Sequence, residues 1–262
     1  MAEAIAGARS YIELPEPEPL GGGVMSVARV IDVTDTHDLL GVEAQTDACA
    51  TAEEWTEWCT MSPTGSKLFE GGPDVVAGDP FAVYAGVECT LQQLTKQQAR
   101  AERRLSFAEA RAVDMHIAAL VEATGLDIGG PLAVAPAIGV AEAFAATVYG
   151  GAPTILVPRQ LLGCLCNCLQ VGLNGALSTY GGARVVPLTA PLTLPVSAMP
   201  GGSVYVTGQI TLLRGNVIAI SVPQQVAADG TYSPARALAE RIYVPVFDCL
   251  VAKIDVTCES TP

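Results

Sequence analysis

Residues 106–124 read SFAEARAVDMHIAALVEAT. Ala110, Val113, Ile117, Leu120 and Val121 recur at spacings of three and four, which lays one apolar stripe along an α-helix. Ser106 and Glu109 make a capping box, in which hydroxyl and carboxylate accept from backbone N–H groups at the helix start. Gly125 ends the helix. Just upstream, Thr95 and Gln98 form a second capping box, which predicts a shorter helix from Thr95 to about Arg104.

Downstream, a third helix is expected over Val140–Tyr149, closed by Gly150-Gly151. Thr154–Val157 is rich in β-branched residues between Pro153 and Pro158 and reads as a buried strand. Pro158 suits the start of a further helix running to about Leu173. After Gly181-Gly182 the chain turns strand-rich: Ala183–Leu188, Thr193–Ala198, Val204–Leu213 and Val217–Val222, with Arg214-Gly-Asn216 as a hairpin turn. A short helix at Pro234–Ala239 and two strands, Arg241–Phe247 and Leu250–Thr257, complete the reading. Helices followed by strands, without regular βαβ alternation, argue for the α+β class.

The opening stretch to about Gly23 holds Leu14-Pro-Glu-Pro-Glu-Pro-Leu20 and Gly21-Gly-Gly. Alternating prolines forbid helix and favour an extended path, so this is an arm or a disordered tail. Residues 24–60 contain one short apolar run, Val27–Val33. They also carry an acidic cluster, Glu53, Glu54 and Glu57, beside Trp55 and Trp58. Turn signals at Ser62-Pro-Thr-Gly and Gly71-Gly-Pro-Asp frame β-like runs over 61–90, a long hairpin or a loop with β edges.

The chain of 262 residues is 50% hydrophobic but only 16% charged, against a usual charged share of about 25%. A surface this poor in charge implies cover by other copies or by lipid. Residues 1–127 hold 21 acidic and 8 basic groups, whereas 128–262 hold 6 of each and between 143 and 213 only Arg159 and Arg184 are charged. No continuous basic surface results, which excludes tight binding to nucleic-acid phosphates. Met1–Ser10 lacks the basic start and apolar run of a signal peptide, so the eight cysteines are expected to be reduced thiols. The charge-free stretch Gln160–Ala183 carries four amides and five glycines, a poor membrane span.

Chemical constellations are sparse. Cys164, Cys166 and Cys168 alternate, so on a helix they would face different ways, and no histidine lies near; small buried hydrophobes is the expected role. Asp32, Asp35, His37 and Asp38 could offer carboxylates to a divalent cation, but the run lacks the glycine and terminal glutamate of an EF-hand, and a solvated turn is expected. His116 lies within the strong helix as a core or interface residue. The sequence has no nucleophile elbow, phosphate loop or zinc-protease motif. Accordingly no catalytic, cofactor-binding or metal-ligating residue is assigned, and no enzyme activity is expected.

The stretch KLFEGGPDVVAGDPFAVYAGVECT at 67–90, followed by a basic Ala-rich helix and SFAEARAVD, resembles the major capsid proteins of tailed phages, most of all those of actinobacterial phages. APTILVPRQLLGCL at 152–165, GGARVVPLTAPL at 181–192, SVYVTGQITLLRGNV at 203–217 and ERIYVPVFDCLVAKIDV at 240–256 extend the likeness over nearly the whole chain. The resemblance implies the shell fold that these proteins share with encapsulins. It implies an N-terminal arm (1–59) and an extended loop with its return strand (60–94) reaching onto a neighbour. A peripheral domain (95–139 and 236–262) would contain the spine helix 106–124, and an axial domain (140–235) would meet its copies at each capsomer centre.

It further implies homo-oligomerisation into pentamers and hexamers that form an icosahedral shell around double-stranded DNA, held without specific binding and without a membrane. Scaffold, portal or decoration proteins are candidate partners. The chain would belong to the virion and assemble in the host bacterial cytoplasm. Some relatives cross-link a loop lysine to an asparagine. Here Lys67 is the sole lysine in the candidate loop and Asn167, Asn174 and Asn216 are the only asparagines, none in a matching context, so no cross-link is expected. The alternatives are an encapsulin-type compartment, a thiol- or metal-dependent enzyme using Cys164, Cys166 and Cys168, and a minor virion component such as a decoration protein.

Overall fold

A computed structural model describes residues 21–52, 54, 55, 59, 61, 74–89, 97–165, 169–172, 175–189, 201–223, 225, 226 and 232–258. In chain order the main strands are β1 (Arg29–Val33), β2 (Val42–Thr46), β3 (Asp74–Gly78), β4 (Phe81–Cys89), β5 (Thr154–Pro158) and β6 (Arg184–Leu188). They continue as β7 (Gly201–Thr207), β8 (Ile210–Gly215), β9 (Ile218–Val222), β10 (Ala235–Phe247) and β11 (Val251–Thr257). The helices are α1 (Gln97–Thr124) and α2 (Val134–Val148). The class is α+β.

α1 runs unbroken for 28 residues where two helices were expected. The Ser106 hydroxyl does not cap a new helix; it donates to the Arg103 carbonyl at 2.8 Å, one turn back. Ala101 and Leu105 then continue the buried stripe of Val113, Ile117 and Val121, so packing carries the helix across the break that local signals predict. Thr95 lies outside the described residues. α2 starts six residues before the expected Val140, with Pro136 in its first turn, where a missing N–H costs nothing.

Two sheets share α1. In the five-stranded sheet, β10 bonds β4 along one edge and β8 and β9 in tandem along the other, with β1 parallel to β8 outside them. The larger sheet orders β11-β7-β5-β6, with two-residue bridges at both ends. Val83 and Val87 of β4 meet Leu105, Val113 and Ile117 of α1, which also reaches Leu156, Val186 and Tyr205 of the larger sheet. The opposite face of that sheet, Ile155, Val157, Val204, Val206 and Ile254, packs on Ala137, Ile138 and Ala141 of α2. β5 is therefore buried on both faces, as its run of apolar residues requires.

Several expectations are corrected. Arg214-Gly-Asn216 is not a hairpin turn. β9 continues along β10 in the direction of β8, with four steps from Arg214 to Ile218 opposing three from Tyr243 to Glu240. That extra residue is a bulge. Pro234–Ala239 is strand, not helix: Ala235, Ala237 and Ala239 alternate inward, and pairing with β4 overrides their helix propensity. The helix from Pro158 stops as a short 3₁₀ turn, Arg159–Cys164, and Gln170-Val171 then pairs with Leu177-Ser178. Thr193–Ala198 lies outside the described residues.

Val204–Leu213 is two strands in two different sheets. The chain crosses between sheets at Gly208, and crosses back at Asp248–Leu250 beside it. Gly208 N–H donates to the Leu250 carbonyl at 3.0 Å and Asp248 N–H to the Gln209 carbonyl at 3.2 Å. The Tyr149 hydroxyl donates to Asp248 Oδ2 at 2.7 Å and accepts from Gln209 N–H at 2.9 Å. A Cβ on Gly208 would stand 2.8 Å from both the Asp248 Cβ and the Tyr149 ring. Gly208→Ala is accordingly expected to destabilise the fold by about 1–3 kcal/mol, read as a lowered midpoint in thermal unfolding.

The strands of the two sheets interleave along the sequence. β8 and β9, within 140–235, join the sheet under the N-terminal half of α1, and β11, within 236–262, joins the sheet under α2.

Candidate assembly interfaces

Apolar side chains left in solvent mark the surfaces available for assembly. On the outer face of the five-stranded sheet, the register sets Ile220 beside Leu238 beside Gly86, and Val222 beside Arg236 beside Glu88. Ile220 and Val222 are 53% and 47% exposed, and Tyr84 on β4 is 69% exposed. Ile220, Val222, Leu238 and Gly86 line a shallow hollow of about 470 Å³. The Arg236–Glu88 pair, 3.1 Å apart and open to water, edges it.

The β2–β3 hairpin crosses the same sheet elsewhere. Val42, Ala44 and Val76 pack on Leu39, Val244 and Val246. Beside β2 runs a groove of about 350 Å³ that includes Ile31, Thr211 and Leu213. The strands of the hairpin begin at residue 42, inside the span expected to be arm, and enclose residues 47–73.

A third apolar projection stands at the far edge of the larger sheet, where Val171 and Tyr180 are 71% and 76% exposed. Its turn is anchored to α2: the Thr179 hydroxyl donates to Glu142 Oε1 at 2.7 Å, and Ala183 N–H to the same oxygen at 3.4 Å.

Polar contacts fix α1 to everything around it. Glu109 Oε2 accepts from Arg241 and from the Tyr243 hydroxyl, both at 2.8 Å and largely out of water; burial and the Glu109 contact push the Tyr243 phenol up to about 12. Glu122 accepts from Lys253 at 2.8 Å and from Tyr205 at 3.0 Å. Burial alone would raise the Glu122 carboxyl, but those donors outweigh it and hold it below its ordinary value. Asp114 is buried and accepts from Val24 N–H at 2.8 Å and Thr189 N–H at 3.2 Å. Desolvation pushes its carboxyl up, against the pull of those two donors.

His116 stacks on Phe81 with ring centroids 3.7 Å apart, joining α1 to β4. Its Nε2 is buried without a hydrogen-bond partner, and burial lowers its pKa below 6.5, against the pull of Asp79. The unfolded chain therefore binds the proton more readily. The resulting stability is present above about pH 6.5 and is lost as pH falls from there through the lowered pKa of the folded state. His116→Phe keeps the stack and removes the titration. Its melting temperature is expected to fall less than that of the parent between about pH 7.5 and 5.5.

The other residues singled out from sequence are dispersed. Asp32 pairs with Arg214 through 2.7 and 3.2 Å bonds, chiefly the cause of its lowered pKa. Asp35 accepts from His37 N–H at 2.9 Å in a local turn. Among the described residues no group of three His, Cys, Asp or Glu could hold a metal ion, and no helix is long and apolar enough to cross a membrane. Asn216 donates to the Thr34 carbonyl at 3.5 Å. Glu54 is exposed and Trp55 half-buried; Glu53, Glu57, Trp58, Lys67, Cys166, Cys168, Asn167 and Asn174 lie outside the described residues.

The cysteines correct the expectation of reduced thiols. Cys49 is bonded to Cys249 and Cys164 to Cys258; Cys59 is free and exposed. The sequence signal was the placement of Cys249 and Cys258, one on either side of a strand. The outer sheet patch has no signal in the local sequence, where Leu238 reads as helical and Ile220 as part of an ordinary hairpin.

Two mixed sheets sharing one long helix, with a two-stranded hairpin packed on one of them and a second helix behind the other, form a fold that recurs in solved particle shells. The chain shares it with the capsid of an empty GTA particle, at TM-score 0.56 and 12% identity over 94% of this chain and 100% of that one. A chain of Gordonia phage Cozz matches at TM-score 0.54 and 10% identity, covering 97% and 92%. The encapsulin of Synechococcus elongatus PCC 7942 matches at TM-score 0.56 and 9% identity, covering 97% and 95%. No protein-family model and no curated protein matches the sequence.

Proposed function

We propose that this chain is the major capsid protein of a tailed phage, a structural subunit without catalytic activity. The observation that carries the reading is the shell fold running over at least 94% of the chain in the three solved structures above. Copies close into pentamers and hexamers and then an icosahedral shell around double-stranded DNA, in the virion, after assembly in the bacterial cytoplasm. α1 with the five-stranded sheet forms the peripheral part, and α2 with the larger sheet the axial part. The projection bearing Val171 and Tyr180 faces its copies in the capsomer. Scaffold, portal or decoration proteins are further partners.

Low charge in the second half has two sources on this reading. Ile155, Leu156, Val185, Val204 and Val206 are consumed by the subunit's own core. Ile220, Val222, Val171 and Tyr180 are left for neighbours, since interface cores are depleted in charge.

Negative-stain microscopy of the expressed protein tests this: closed particles, tubes or capsomer rings are expected, and a monodisperse monomer at high concentration refutes it. An encapsulin-type compartment is the second reading, favoured by the equal likeness to the Synechococcus shell. Nucleic acid protected inside purified particles supports the phage reading, and an enclosed protein cargo the other.

A further inference from the structure

The two disulfides have one strand in common. Cys249 lies just before β11 and Cys258 just after it, and each is bonded to a distant segment. Cys49, 200 residues earlier, stands three residues past β2, at the start of the segment joining β2 to β3; Cys164, 94 residues earlier, ends the 3₁₀ turn after β5. β11 has partners on both sides in the larger sheet. It forms a seven-residue ladder with β7 and sends Ala252, Ile254 and Val256 into the core on α2. A strand can leave its sheet by local opening, and bridges at both of its ends tie β11 to two distant segments. The fold itself holds each pair at Cα separations of 5.9 and 5.6 Å, the distance that a disulfide needs.

We propose that these four cysteines form a redox clamp on β11, open as thiols during folding and assembly and closed afterwards by a small-molecule disulfide. The timing rests on the shell reading, since a reducing cytoplasm keeps thiols open and the exterior of a cell does not. In each closure a protein thiolate attacks a sulfur of glutathione disulfide and expels one glutathione thiolate. The second protein thiolate then displaces the other glutathione from the mixed disulfide. Two protein thiols lose two electrons, and two glutathione thiols carry away the electrons and the two protons. Closure locks the core of the larger sheet and the start of the segment joining β2 to β3 together, without a bond between subunits.

The test uses the full chain expressed in a reducing cytoplasm. One portion is trapped with N-ethylmaleimide at lysis, and a second is treated with glutathione disulfide before trapping. Non-reducing peptide mass spectrometry should find Cys49, Cys164, Cys249 and Cys258 alkylated in the first portion. In the second it should find 49–249 and 164–258 linked. Hydrogen exchange of the amides of residues 251–257 should slow by about tenfold or more on oxidation and recover with a phosphine reductant. The double variant Cys49→Ala, Cys164→Ala should show no such change; if it does not fold, the comparison of oxidised and reduced parent protein stands alone. Thiols that remain alkylatable after treatment, links already complete at lysis, or exchange unaffected by the bridges would each overturn the clamp. Microscopy of both portions reports on the shell separately: linked peptides without particles remove the shell reading and leave the clamp.

Discussion

Glu109→Ala is expected to cost about 3–5 kcal/mol, the penalty for stranding a buried charge. The carboxylate is 14% exposed and the Arg241 guanidinium 19%, and Arg241 Nε already lacks a partner. Removing Glu109 takes from Arg241 its charged partner and from the fully buried Tyr243 hydroxyl its acceptor. Because the pair fastens the middle of α1 to β10, the loss is felt by the whole five-stranded sheet. Denaturant unfolding at fixed protein concentration should show a large fall in midpoint. The double variant Glu109→Leu, Arg241→Met removes both charges and is expected to recover most of it. If the double is as unstable as the single, the charge pairing is not what matters.

Asp114→Ala is expected to cost about 2–4 kcal/mol, because two backbone donors lose a charged acceptor at once. Val24 comes from the start of the described chain and Thr189 from the end of β6, and the side chain is 3% exposed. Gly23 beside it has φ +90, and a Cβ there would stand 2.8 Å from the carboxylate, so the approach of chain to helix is tight. Hydrogen exchange at Val24 should rise more than exchange in β10, which localises the loss. A uniform rise would instead mean global destabilisation.

Much of the core could be read from the sequence, because periodicity reports burial directly. The stripe from Val113 to Val121, the doubly buried Thr154–Val157 and the final strand pairs are elements whose local pattern and tertiary role agree. Disagreement arose where packing outranked local chemistry. Ser106 looks like a cap but bonds within a longer helix. Ala235 to Ala239 favour helix yet are held extended by a nine-residue ladder with β4. Arg214-Gly-Asn216 has turn chemistry but forms a bulge, since β10 is long enough to hold two strands in tandem. The exposed patch around Ile220 was not legible. It requires three strands from distant parts of the sequence, and no single one carries the pattern. The cysteine pairs were hidden for the same reason, with partners 200 and 94 residues apart.

The two crossovers at Gly208 and Asp248–Leu250 lie side by side and are bonded to one another. They therefore form one narrow two-chain link between the sheets, while α1 packs against both. A change of angle between the sheets would bend this link and shift both sheets against that helix. On the proposed shell reading, such a bend inside each building block would add to the curvature of the wall.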